Sequence, residues 1–262
     1  MNFDSILVPH DGSPEAAKAL GCAAWLAQRL GAALHVLEAA PDPGPALRKA
    51  IDAHAAALVV MTARGGSASA GLDPGRRIGR VAETLIGEST VPVLLLPLRY
   101  REALPWTSML VAASGEAAAD QALEAALQLA AALRLELDVV YCESAATKAS
   151  AIGAYADAPH YEYPSRLESM VRRAASPHLS QDRPIAQVLL CHGDPAAQLL
   201  AQVARRGASV LALGWHGRLG AGRAQVLKRL LDEAECPLLV VRQVARPTAH
   251  LKVGEDLQPS AG

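Results

Sequence analysis

Val210-Leu211-Ala212-Leu213-Gly214-Trp215-His216-Gly217-Arg218 decides the fold. Its first four residues are continuously apolar, as a strand covered on both faces of a parallel sheet must be. Gly214 and Gly217 read as the end of that strand and the start of a loop. Beyond them Val226, Leu227, Leu230 and Leu231 recur at helical spacing up to Cys236-Pro237, where the helix has to stop. Strand, glycine loop, helix N-terminus is an arrangement whose backbone N–H groups and helix dipole can receive a phosphate. The same glycines would also serve simply to turn the chain.

The pattern occurs twice. Ile6-Leu7-Val8-Pro9-His10-Asp11-Gly12 is matched by Met109-Leu110-Val111-Ala112-Ala113-Ser114-Gly115. In the first copy Ser13 is a suitable N-cap and Pro14 suits the first helical position. Ala16, Leu20, Ala23, Ala27 and Leu30 then fall on one helix face, and Gly31 closes the helix. A strand over 33–37 follows. The prolines of 41–45 exclude helix interior and central strand, so the next helix is expected over 46–56. A strand over 57–61 leads into a long glycine- and serine-rich loop, 62–77, then a helix from about Ile78 and a last strand over 91–96. In the second copy the helix bearing Leu123, Ala126, Leu127 and Ala130 precedes strands over 137–140 and 185–190. Asp194-Pro195 caps the following helix, and Pro237 to Val241 matches Pro92 to Leu96. The second copy also holds an extra segment, 144–183, with Tyr155, Tyr161 and Tyr163.

Strands alternating with helices predict an α/β fold in which each copy is an open parallel sheet with helices on both faces. The boundaries expected are 1–99, a linker 100–106, 107–243, and a disordered tail 244–262. If the strand order is of the flavodoxin type, ligands bind outside the carboxyl ends of the strands at the switch point. Asp11 should then face the loop after Met61, and Ser114 the loop after Leu213.

Composition narrows the function. A formal net charge of -1 over 262 residues and only 3% aromatics leave no general nucleic-acid grip. Cysteines 22, 142, 191 and 236 form no CxxC pair and read as reduced thiols of a cytoplasmic protein. No apolar run approaches a membrane span. His10, His192 and His216 lack HxH or HExxH spacing, so no metal is expected. Ser13 and Ser114 lie outside any G-x-S-x-G elbow. With no catalytic constellation, a binding module is expected rather than an enzyme.

Ile-Leu-Val-x-x-Asp-Gly-Ser at a strand end, the Leu-His-Val strand, His192-Gly193-Asp194-Pro195, Leu213-Gly214-Trp215-His216-Gly217, and terminal strands entered through Val-Pro or Cys-Pro together resemble the universal stress protein family. The resemblance covers nearly all of 4–99 and 107–243, as two such domains in tandem. It implies Rossmann-like sheets of strand order 3-2-1-4-5, the first lacking one strand, paired through their last strands as a pseudo-dimer within the chain. It also implies ATP or another adenine nucleotide, with an aspartate after the first strand contacting adenine and a glycine loop holding ribose and phosphates. Carried onto this chain, the first-half site is Pro9, Asp11, Val36, Met61, Gly65, Gly66, Gly79 and Arg80, with Arg76 and Arg77 nearby. The second-half site is Gly214, His216 and Gly217. Each set is incomplete: Thr62 replaces a glycine, Arg80 a serine or threonine, and Ser114 the aspartate, while Ala224-Gln225 stands where Gly-Ser belongs. Asp11 has a second reading, as a helix cap shared with Ser13. The resemblance therefore implies a stress-associated binding or regulatory module, with an unknown protein partner and a homodimer as further expectations. A slow nucleotide hydrolase and a ligand-free interaction protein are the alternatives.

Overall fold

A computed structural model describes residues 2–40, 42–65, 78–114, 117–143, 187–217 and 224–243, together with Ser169. Gly66, Arg76, Arg77, Gly115, the three tyrosines of the extra segment and the 244–262 tail lie outside the described residues.

The first half runs β1 (Ser5–His10), α1 (Pro14–Leu30), β2 (Ala33–Glu38), α2 (Pro43–Ala53), β3 (Leu58–Thr62), α3 (Arg80–Glu88) and β4 (Val93–Leu96). The second runs β5 (Ser108–Ala113), α4 (Ala117–Leu133), β6 (Glu136–Glu143), β7 (Gln187–His192), α5 (Pro195–Arg206), β8 (Val210–Trp215), α6 (Gln225–Glu233) and β9 (Leu238–Arg242).

Helix ends follow the local chemistry. Ser13 Oγ accepts the Ala16 N–H at 3.1 Å, and Gly31 terminates α1 in the left-handed region at φ 66°. Asp194 and Gly207 do the same for α5, with Ala197 N–H donating to Asp194 Oδ1 at 2.8 Å. One expectation fails here. Helix α2 starts at Pro43, not Ala46, so Pro43 and Pro45 both sit in its first turn. The first-turn amides of a helix have no intrahelical acceptor, and the missing proline N–H costs nothing there.

The strands form one nine-stranded sheet in the order β2-β1-β3-β4-β9-β8-β5-β6-β7. Pairing within each half is parallel, whereas β4 and β9 pair antiparallel with Leu94 opposite Leu239. The second half thus has the 3-2-1-4-5 order, and the first lacks the outer strand next to β2 among the described residues. The last strands join the halves edge to edge, so two expected sheets become one.

Period-2 alternation sorts the strand residues into two cores that run through both halves. Ile6, Val8, Leu58, Val60, Met109, Val111, Val210 and Ala212 pack under α1 and α4. Leu7, Val59, Met61, Leu110, Leu211 and Leu213 pack on the other face under α2, α3, α5 and α6. Trp106, just before β5, is buried against Trp25 of α1 with ring centroids 5.1 Å apart.

Candidate functional site

The carboxyl ends of β1 and β3 border a crevice of about 800 Å³. Pro9, Leu37 and Met61 contribute from β1, β2 and β3, while the first turns of α2 and α3 form the opposite wall. This is the switch point of the half, where β1 lies between β2 and β3 and the two crossovers leave in different directions.

Asp11 follows β1 directly. Its Oδ1 accepts the Ser13 N–H at 3.0 Å and the Ser13 hydroxyl, which itself caps α1. Its Oδ2 faces Gly65, so closely that a Cβ on Gly65 would lie 2.8 Å from it. Asp11 thus takes the helix-cap role shared with Ser13 and also faces the loop. One oxygen braces the cap while the other reaches the loop after β3, as the strand-order argument requires.

Gly79 is the N-cap of α3 and donates its N–H to Ala63 O at 2.8 Å. Lacking a side chain, it cannot cap the helix it begins. Arg80 is the first residue of α3 and is exposed. Pro9, Asp11, Met61, Gly65, Gly79 and Arg80 thus all line one crevice. Val36 does not. It is opposite Val8 in the register and 47% exposed, on the α1 side of the sheet. Leu37 lines the crevice instead, because adjacent strand residues point to opposite faces, and Glu38 joins it where the strand ends.

Sequence reasoning missed Asp42 and Arg48. Asp42, the N-cap of α2, and Arg48 within that helix both line the crevice, and Arg48 also pairs with Glu88 at the end of α3. Their signal was hidden by starting that helix three residues late.

The second-half residues are used differently. Strand β8 continues through Gly214 to Trp215, contrary to the expected break. A Cβ on Gly214 would stand 2.2 Å from the Ala118 carbonyl oxygen and 2.6 Å from the Ala119 nitrogen. The glycine lets the first turn of α4 rest directly on the strand. Gly217 adopts φ 79°, with Arg242 Nε 2.9 Å and Gly87 O 3.2 Å from where its Cβ would be. Arg242 in turn donates to Glu88 O at 3.1 Å, so Gly217 sits at the seam between the halves. His216 contacts Gln243 through Nδ1 at 3.2 Å and is exposed. Ser114 is exposed at the end of β5. Trp215 is buried at 6% exposure, which fits a packing residue.

Burial pushes the Cys22, Cys142 and Cys236 thiols up to about 12, leaving them protonated near neutrality. Among the described residues no three His, Cys, Asp or Glu side chains gather as metal ligands. No described helix is long and apolar enough to cross a membrane.

A doubly wound α/β sheet with a crevice at its switch point is a fold class shared by many functions. Comparison with known proteins is narrower. The family model described as the universal stress protein family matches residues 2–46 and 105–242, and the chain belongs to that family. A universal stress protein from Archaeoglobus fulgidus DSM 4304 is 17% identical with a TM-score of 0.58, over 92% of this chain and 99% of its own. A functionally unknown protein from Pseudomonas aeruginosa PAO1 is 15% identical with a TM-score of 0.57, over 92% of each chain. At these identities the likeness concerns the fold. No curated protein matches the chain.

Proposed function

We propose that this universal stress protein is a cytoplasmic, stress-associated binding module whose first half, residues 1–99, holds an adenine nucleotide. The second half, 107–243, acts as its covalent partner in the pseudo-dimer. The observation that carries the reading is the contact between Asp11 and Gly65 at the rim of the switch-point crevice. It brings an acceptor suited to an adenine amino group beside a glycine whose bare backbone a ribose can approach. Helix α3 supports it from the other side. Its N-cap offers no side chain, so the first-turn amides point their dipole at the crevice uncapped, with Glu83 as the acidic residue of that turn. Arg80 at the first position puts a cation against the positive end of that dipole, which is unfavourable unless an anion sits between them. A phosphate would satisfy both. Arg48 supplies a second guanidinium, suited to bidentate phosphate contacts once drawn from Glu88.

Calorimetric titration with ATP, ADP and AMP tests the reading. Binding with one nucleotide per chain is expected, weakened about tenfold or more by Asp11→Ala and by Gly79→Asp, since each change removes or opposes a charge-assisted contact. Affinity that survives both substitutions would remove the nucleotide from this crevice. Phosphate release over many turnovers would replace the binding module with a hydrolase.

A further inference from the structure

Cys142 and Cys191 are far apart in the chain, yet β6 and β7 pair in parallel with these two residues directly opposite each other. Opposed residues of parallel neighbours point to the same face from backbones roughly 4.8 Å apart. Both thiols are free, and they lie within hydrogen-bonding reach of one another. Helix α5 closes the pair from above. Gln202 Nε2 donates to Cys191 Sγ at 3.5 Å, and Cys142 Sγ lies 3.9 Å from the carbonyl oxygen of Pro195, the first residue of the helix. Cys191 is 7% exposed, whereas Cys142 is only half-buried, so the pair is walled on one side and reachable on the other.

We propose that Cys142 and Cys191 form a two-coordinate thiolate site for a soft monovalent d10 cation, with Cu(I) as the chemical type. Two sulfurs presented on one face by neighbouring strands can hold a single ion between them. Soft thiolates select this ion class. Zinc wants four ligands, and no further His, Cys, Asp or Glu among the described residues completes such a set. Binding breaks two S–H bonds, forms two Cu–S bonds and releases two protons, with no change of oxidation state. The bound unit carries one negative charge. The Gln202 amide and the N-terminal end of α5 stabilise that charge. Asp194 opposes it, but its carboxylate is already engaged by the Ala197 amide and by Arg229 Nη1 at 2.7 Å.

The test is anaerobic titration of the reduced full chain with Cu(I) against a chromophoric Cu(I) chelator, with X-ray absorption on the loaded wild type. One ion per chain is expected, coordinated by two sulfurs. Cys142→Ser and Cys191→Ser should each weaken binding about 100-fold or more, because a chelate becomes a single bond. Cys22→Ser and Cys236→Ser should leave it unchanged. Wild-type binding that is absent, that involves three or more ligands, or that tolerates loss of either Cys142 or Cys191 would overturn the proposal. The absorption measurement needs no variant, so misfolding of a serine variant cannot mask the outcome.

Discussion

The two halves place corresponding glycines in corresponding loops and use them for opposite purposes. Gly65 and Gly217 both lie three residues beyond the position that Thr62 and Gly214 share in the repeat. In the first half Gly65 meets the Asp11 carboxylate beside an open crevice. In the second, Gly217 meets Arg242 and Gly87 across the seam, and Gly214 meets the backbone of α4. A glycine permits close approach without specifying what approaches. The first half admits a cavity there, while the second brings in its own chain.

The sharpest break in that comparison is Gly214→Ala. A Cβ 2.2 Å from Ala118 O must push α4 off β8, and a loss of about 3 kcal/mol is expected in urea denaturation. The counterpart Thr62→Gly should cost only about 0.5–1 kcal/mol, the entropy of a glycine in a strand. Equal effects at the two positions would mean that the halves pack alike.

Gly217→Ala comes next. A residue with a Cβ at φ 79° costs roughly 1–2 kcal/mol, and Arg242 must also move. Gly65→Ala should reverse the pattern, with little change in stability but weaker nucleotide binding, because the new methyl displaces Asp11 Oδ2. Paired melting and calorimetric titration of the two variants would separate a seam glycine from a site glycine.

At neutral pH the last effect vanishes, and it is one the halves should share. Cys22 faces the core from α1, and Cys236 lies in the core on the opposite face before β9. Both thiols titrate higher when folded than the ordinary value of 9.0, at about 12. The unfolded chain loses these protons first, so stability is intact below pH 9.0 and falls as pH rises toward 12. The slope is up to about 1.4 kcal/mol per pH unit for each thiol. Cys22→Ser and Cys236→Ser should each flatten the alkaline slope by a similar amount. A steep fall that neither variant changes would assign alkaline unfolding to other groups.

Much of this architecture was legible in the residues. The repeat of Ile6-Leu7-Val8 in Met109-Leu110-Val111 announced two copies of one plan, and the caps at Ser13, Gly31 and Asp194 stand where the local chemistry put them. The meeting of Asp11 with Gly65 followed from strand order. Val36 lies off the crevice lining because strand alternation turns its side chain to the α1 side, a direction that the resemblance does not carry. Arg48 and Asp42 escaped notice because two prolines looked like a loop when they were the first turn of a helix.

By itself the sequence determined the family, the alternation of strands and helices, and the incompleteness of both nucleotide motifs. These depend on periodicity, capping and turn chemistry, which act within a few residues of one another. Only the tertiary structure decided that Gly214 seats a helix, that Gly217 seals the seam and that Cys142 stands beside Cys191. Those outcomes rest on contacts between segments distant in the chain. Strand register and packing distances of a few ångströms set such contacts, and no local pattern encodes them.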